Sequence, residues 1–336
     1  MASTVVVTNR VHDEVIAYLE SHATVIANND DLPWDRATLR ANCSKADAML
    51  AFMTDIVDDA FLNDCPSVRM VACALKGYDN FDVAACTLRG VTVSIVPDLL
   101  TEPTAELAIG LIVALGRRLL DGDRLIRTGS FQGWRPILYG RGLSGSRVGI
   151  LGVGVVGRAI ARRLRCFGAD LYYYDNSGPI AEEHELGLTF LELEELLRSS
   201  HYVVLAVPLN PTSRHLICRE TLALMRRDAL LVNVGRGSVV DERAVAEALT
   251  LGRLGGYAAD VFEMEDWALA DRPKGIDQRL IDLRDRTVFS PHLGSAVDDV
   301  RREIELSAAR NIVQFLAGDL PVNALNTTER ASRFGS

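Results

Sequence analysis

Short β-branched runs alternate with amphipathic stretches along most of the chain. Val5–Thr8 reads as a strand and His12–Leu19 as the helix that follows it. Ala48–Phe52, Val68–Ala74 and Val91–Val96 read as further strands, joined by segments carrying Asp, Pro and Gly. The pattern changes near Pro97. Thr101-Glu-Pro-Thr104 has the hydroxyl and early proline of a helix start, and one long helix is predicted from about Ala105 to Arg127. The segment Thr128–Gly145, with Trp134, Pro136 and Tyr139, reads as an excursion or linker.

A second alternating series begins at Arg147. Its strands are Val148–Leu151, Leu171–Tyr174, Tyr202–Val207, Ala229–Asn233, Gly256–Asp260 and Thr287–Ser290. Val297–Ala317 closes the series as a helix, with Val300, Ile304, Ala308, Ile312 and Phe315 at helical spacing. This alternation predicts an α/β protein with parallel sheets covered by helices on both faces.

Composition narrows the class. At 336 residues the chain has room for about two domains. Apolar residues at 48% and charged residues at 24% fit a globular protein and exclude intrinsic disorder as the main state. A net charge of -9 argues against a nucleic-acid partner, so any anion must be held by a few local cations. The basic residues are nearly all arginine; the three lysines are Lys45, Lys76 and Lys274. The six cysteines show no CxxC pair and no metal-ligand spacing, so no metal site is expected. The N-terminus lacks a signal-peptide pattern, and the longest apolar stretch, Leu107 to Gly116, is too short to span a bilayer. The expectation is a cytoplasmic protein with no membrane partner.

Val148-Gly-Ile-Leu-Gly152-Val-Gly154-Val-Val-Gly157 is a GxGxxG that follows a predicted strand and opens a predicted helix, Val156–Phe167. Asp175 ends the next strand, 18 residues after Gly157. That context is the dinucleotide-binding fingerprint. Gly152 permits the tight turn, Gly154 lets backbone approach a pyrophosphate, and Gly157 permits close helix–strand packing. The helix N-terminus stabilises the phosphate charge. Asp175 would accept hydrogen bonds from ribose hydroxyls and repel a 2′-phosphate. Asn176 and Ser177 follow it instead of an arginine, so NAD is predicted over NADP.

Three more segments each follow a predicted strand: Asn233-Val-Gly-Arg236-Gly-Ser-Val-Val-Asp241, Asp260-Val-Phe-Glu-Met-Glu265 and Ser290-Pro-His292-Leu-Gly-Ser295. Arginine offers a fixed fork of donors to an oxyanion. Histidine titrates near neutrality, as a general base should, and a carboxylate against it fixes its tautomer. With the glycine fingerprint, these segments resemble the D-2-hydroxyacid dehydrogenase family from about residue 5 to 325. The resemblance implies a catalytic set of Arg236, Glu265 and His292: an arginine for the substrate anion, a histidine that moves the proton, and a glutamate that hydrogen-bonds it. It also implies two doubly wound parallel-sheet domains. A Rossmann-type NAD-binding domain, 100–292, would be inserted in a flavodoxin-like substrate domain built from 1–99 and 293–336, with the active site in the cleft between them. The dinucleotide would meet Thr104, Gly152, Gly154, Val155, Val156, Gly157, Asp175, Pro208, Val234, Asp260 and Ser295. A homodimer is implied as well, through the cofactor domain and the Gly/Trp-rich excursion.

The substrate end is more particular. Ala74-Leu-Lys76-Gly77 places a lysine where the family commonly has small residues. Two cations, Lys76 and Arg236, suit a compact dianion better than a monocarboxylate. Several segments resemble the phosphonate (phosphite) dehydrogenase subgroup: Met49-Leu-Ala-Phe-Met53, the stretch Ala74 to Asp82, Gln132-Gly-Trp134 and Asp260-Val-Phe-Glu-Met-Glu-Asp-Trp267. Asp266-Trp267 departs from the proline usual in the wider family. The subgroup resemblance implies oxidation of phosphite to phosphate with NAD and water. Met53, Lys76, Gly77, Arg236 and His292 would contact the substrate, and His292 or another group would deprotonate the attacking water. Arg301 would support the site, and Trp134 and Tyr139 would serve the site, a dimer contact or packing. Two other readings stand beside this one. The first is a dehydrogenase for glycerate, lactate or a similar acid, against which Lys76 and the Glu-Met-Glu-Asp-Trp stretch argue. The second is an NAD-sensing binding protein without turnover.

Overall fold

The computed structural model describes residues 3–96 and 98–328. It is an α/β protein with two parallel sheets in two compact units. One unit holds the described residues up to Leu100, Trp267–Ala270 and the chain from Val297 onward; the other holds Thr101–Asp266 and Asp271–Ala296.

The first unit carries strands Thr4–Val7 (β1), Thr24–Ala27 (β2), Ala48–Ala51 (β3), Met70–Cys73 (β4) and Thr92–Ser94 (β5). They pair in parallel in the order β2-β1-β3-β4-β5. The two-residue period of a strand divides the side chains between two cores. Val5, Val7, Ala48 and Leu50 join one core, and Val6, Met49 and Ala51 the other. Apolar side chains on both faces are what a helix-covered parallel sheet requires. The last helix, Asp298–Leu316, returns to this unit and buries Ile304, Ala308 and Ile312 in the first of those cores.

The second unit carries Arg147–Leu151 (β6), Asp170–Tyr174 (β7), Leu188–Phe190 (β8), Tyr202–Leu205 (β9), Leu230–Asn233 (β10), Gly256–Ala259 (β11) and Thr287–Phe289 (β12). The order is β12-β11-β10-β9-β6-β7-β8, all parallel. The chain leaves β6 to one side and returns beside it as β9. The direction of winding therefore reverses between these two strands, and ligands of open α/β sheets bind outside the strand ends at such a point.

Three differences from the sequence expectation have physical causes. Strands β2 and β8 went unpredicted; both are short edge strands with partly exposed side chains. The single helix from Ala105 to Arg127 is two helices, Thr101–Gly116 and Leu119–Arg127. The carbonyl of Gly116 leaves the helical ladder and accepts from the Arg141 amide at 2.8 Å. A side chain at Gly116 would meet the Tyr202 hydroxyl. Arg118 then adopts a left-handed φ of 52° and restarts the helix, with its Nε donating to Asp121. The unit boundaries also differ from 1–99/293–336 and 100–292. Leu100 packs in a core of the first unit. Residues 293–296 stay with the second unit, where the Leu293 and Gly294 amides bond to Asp260. Trp267–Ala270 groups with the first unit.

Candidate active site

In the second unit the sequence-predicted residues gather at the carboxyl ends of β6, β7, β9, β10, β11 and β12. Gly152 has φ +87°, and a Cβ there would lie 2.6 Å from the Val207 side chain. A Cβ on Gly157 would lie 2.1 Å from the Gly152 carbonyl oxygen. By contrast, a Cβ on Gly154 would meet nothing within 4 Å. The first and last glycines therefore serve the fold, while the middle one leaves open space over the turn. The helix Val155–Arg165 begins at Gly154 without a side-chain cap, which leaves its first-turn amides able to meet an anion.

Asp175 follows β7. Its carboxylate accepts from the Val153 amide (3.1 Å) and from the Ser177 amide and hydroxyl (3.0 and 2.6 Å). Burial raises its pKa, but these hydrogen bonds outweigh burial and hold it below the ordinary value, so it stays ionised. An anion-tolerant turn and a fixed carboxylate are what a pyrophosphate and a ribose diol need, so the residues present fit NAD. Val155, Val156 and Thr104 lie on the first turns of their helices. Pro208 follows β9, where its carbonyl accepts from the Ser213 hydroxyl at 2.6 Å, and Val234 is buried after β10.

His292 sits in the loop after β12 with a left-handed φ of 56°. A non-glycine residue holds that conformation only against a cost of about 1–2 kcal/mol. Asp260, 2% exposed, supplies the restraint. Its carboxylate accepts from the Ser290 hydroxyl (2.6 Å) and the Leu293 and Gly294 amides (2.7 and 2.9 Å), and its carbonyl accepts from the His292 amide (2.8 Å). Burial pushes the Asp260 pKa up against these bonds. The imidazole Nδ1 donates to Glu265 Oε2 at 2.6 Å, which leaves Nε2 able to accept a proton. Ser295 follows in the same loop.

Arg236 follows β10 in extended backbone and enters the 3₁₀ turn Gly237–Val239. It is half-buried, and its Nη1 reaches the Gly235 carbonyl at 3.0 Å. Glu265 ends a second 3₁₀ turn, Glu263–Glu265, and its Oε1 accepts from the Phe262 amide at 2.9 Å.

In the first unit, Met53, Lys76 and Gly77 lie after the neighbouring strands β3 and β4. Lys76 Nζ donates to Asp98 at 2.6 Å. The Met53 turn is held by buried polar groups: Asp55 accepts from the Phe52 amide (2.8 Å) and the Thr8 hydroxyl (2.5 Å). Asn80 donates to the carbonyls of Phe52 and Met53 (each 3.3 Å). Burial pushes the Asp55 pKa up to about 6. Arg301 bonds the Ala74 carbonyl (3.3 Å) and Glu305 (3.1 Å), and its guanidinium lies over the Phe52 ring. His12 bonds the other oxygen of Glu305 at 2.8 Å.

Sequence reading missed the acids behind these turns. Glu242 and Glu263 are buried, and His215 Nε2 lies 2.5 Å from Glu263. Trp134 and Tyr139, given three possible roles, are 86% and 79% exposed. Among the described residues no group of His, Cys, Asp and Glu could hold a metal ion, and no helix is long and apolar enough to cross a membrane.

Comparison with known proteins identifies the family. Residues 109–294 match the model described as D-isomer specific 2-hydroxyacid dehydrogenase, NAD binding domain. A glyoxylate reductase of Thermococcus litoralis is 33% identical over 97% of both chains. One from Aeropyrum pernix is 36% identical over 96% of this chain and 95% of its own. A crystal structure of a Thermus thermophilus protein superposes with a TM-score of 0.87 at 32% identity, covering 96% of this chain and all of that one. D-Lactate dehydrogenase of Aquifex aeolicus, solved with NAD and lactic acid, shares the fold at a TM-score of 0.81 and 22% identity, covering 94% of this chain and 96% of its own. The chain belongs to the D-isomer specific 2-hydroxyacid dehydrogenase family. It is an NAD-dependent oxidoreductase acting on a small molecule.

Proposed function

We propose that the protein oxidises phosphite to phosphate. Phosphite, NAD and water give phosphate, NADH and a proton. The P–H bond breaks, its electron pair leaves with the hydrogen, and a P–O bond forms from water. NAD, when bound, supplies the hydride acceptor. Arg236, with Lys76 and the Gly77 amide, neutralises the phosphite dianion and the charge that grows as water attacks. His292 Nε2 accepts the proton from that water, with Glu265 keeping the imidazole in the tautomer that leaves Nε2 free. Met53 limits the size of what can bind.

The observation that carries this reading is Lys76, one of three lysines in the chain, placed after β4 with its ammonium engaged by a carboxylate. A side chain that already holds one oxyanion group can exchange it for another. The Asp266-Trp267 pair after Glu265 supports the same substrate.

The second reading is reduction of a small 2-oxo acid such as glyoxylate. The names of the relatives favour it. The test is NADH formation with phosphite, D-lactate and D-glycerate, beside NADH consumption with glyoxylate, on the wild type and Lys76→Ala. Turnover of phosphite that collapses in Lys76→Ala supports the proposal. Turnover of hydroxy or oxo acids alone sinks it in favour of the second reading. NADH binding without any turnover makes the protein a nucleotide sensor.

We propose further that the protein is a homodimer. Between Leu119 and Tyr139 an unusual number of apolar side chains meet solvent, among them Ile126, Phe131, Trp134 and Ile137. Light scattering on the purified protein tests this.

A further inference from the structure

We infer that Asp266 is a positioning residue, which fixes the arginine-bearing turn to the glutamate-bearing turn. The inference rests on the roles given above to Arg236, Glu265 and His292, and it holds for either oxyanion.

The two 3₁₀ turns come from separate parts of the chain, after β10 and after β11. Their backbones touch. A Cβ on Gly237 would lie 1.9 Å from the Phe262 carbonyl carbon and 2.3 Å from the Glu263 nitrogen, so no side chain fits there. Asp266, 3% exposed, accepts from the Ser238 amide through Oδ2 at 2.6 Å. Ser238 is itself 2% exposed and lies inside the first turn of its 3₁₀ helix, where an amide has no partner within the helix. The carboxylate therefore satisfies a buried donor and does so at a junction. Ser238 is two residues from Arg236, and Asp266 is one residue from Glu265.

Two further links run parallel to this one. Glu242 accepts from the Glu263 amide at 2.8 Å. His215 donates its own amide to the Ser238 carbonyl (2.8 Å) while its ring holds the Glu263 carboxylate. Both reach the Glu263–Glu265 turn at Glu263, its first residue. Asp266 is the link placed next to Glu265 itself, so it sets where the Glu265 carboxylate stands relative to the Arg236 guanidinium. A charged acceptor at 2.6 Å is among the stronger hydrogen bonds, as a geometry that must not drift requires. The function proposed above gives Asp266 no other task.

The test uses the full-length protein with Asp266→Ala, Asp266→Asn and Ser238→Ala. Asparagine keeps an acceptor in the same place, alanine removes it, and Ser238→Ala leaves the amide untouched. Where alanine prevents folding, Asp266→Ser replaces it, with an oxygen too short to reach. Kinetics are run on phosphite with NAD and on glyoxylate with NADH. A wild type active only on glyoxylate overturns the proposed substrate and leaves this test intact, because Arg236 then meets a carboxylate. Loss of the acceptor raises the substrate KM about tenfold to a hundredfold and lowers kcat. Asparagine restores both to within about threefold, and NADH affinity does not move. Hydrogen exchange over Gly237–Val239 reads the same bond without turnover: faster in the alanine variant, unchanged in asparagine and in Ser238→Ala. Wild-type kinetics and exchange in Asp266→Ala, or equal damage in the asparagine and alanine variants, would overturn the inference.

Discussion

Glu265 Oε2 stands 2.6 Å from Nδ1 of His292, and the loop carrying that histidine is held in a left-handed turn by Asp260. The two acids divide the work. Asp260 sets where the histidine backbone is, and Glu265 sets how the ring is turned and which nitrogen is free.

It follows that His292→Ala loses about 10²–10⁴ in kcat, the usual contribution of a general base, with NADH affinity kept. Glu265→Gln retains a hydrogen-bond acceptor and loses less. Asp260→Ala does more damage than its distance from the proton suggests, because it frees the strained loop and leaves the Leu293 and Gly294 amides without their acceptor. Steady-state kinetics on the three variants order them. A Glu265→Gln protein poorer than His292→Ala would contradict the assignment of the base.

In the function proposed, Lys76 meets its substrate already paired. Its ammonium lies 2.6 Å from Asp98, whose pKa is lowered first by that hydrogen bond. Charge-assisted hydrogen bonds are worth about 1.5–3 kcal/mol, so Lys76→Ala raises the phosphite KM by roughly 10- to 100-fold. Asp98→Asn moves the other way. It removes the carboxylate that competes for the ammonium, and the phosphite KM falls or holds level. A KM in Asp98→Asn as high as in Lys76→Ala means that the pair is needed intact.

We propose that Asp175 selects the coenzyme. Its carboxylate is pinned by Val153 and Ser177 and stays ionised, so in that role it would accept from a ribose diol and repel a phosphate. Asp175→Ala lowers kcat/KM with NAD about tenfold and narrows the gap between NAD and NADP. Parallel kinetics with the two coenzymes read this. An unchanged ratio would remove Asp175 from the ribose site.

Local features were legible in the sequence, and features that depend on distant partners were not. The glycine turn could be read because Gly152, Gly154 and Gly157 act within one strand–helix junction. Arg236, Glu265 and His292 could be placed at strand ends because each follows an apolar run. Edge strands β2 and β8 escaped because half-exposed strands of three or four residues carry little pattern. The break at Arg118 escaped because its cause, the Arg141 amide bonding Gly116, lies beyond the helix. The buried acids escaped for the same reason. Glu242 and Asp266 look like surface residues until the amides of Glu263 and Ser238 are brought to them by folding.

Glu242 gives a prediction about stability. It is 2% exposed, and burial pushes its pKa from an ordinary 4.5 up to about 8, with Glu263, Glu265 and Asp266 adding to the rise. Between those values the folded chain keeps a proton that the unfolded chain has released. Stability therefore falls as pH rises through that window, and the penalty is complete above about 8. Glu242→Gln cannot ionise, yet it still offers Oε1 to the Glu263 amide. The melting temperature of Glu242→Gln minus that of the wild type should be near zero at pH 4.5 and grow in favour of glutamine toward pH 9. Asp260 and Glu263 also have raised pKa values, but both proteins contain them, so they do not set the difference. A difference that stays flat with pH, or turns against glutamine at high pH, would mean that Glu242 keeps its charge in the fold.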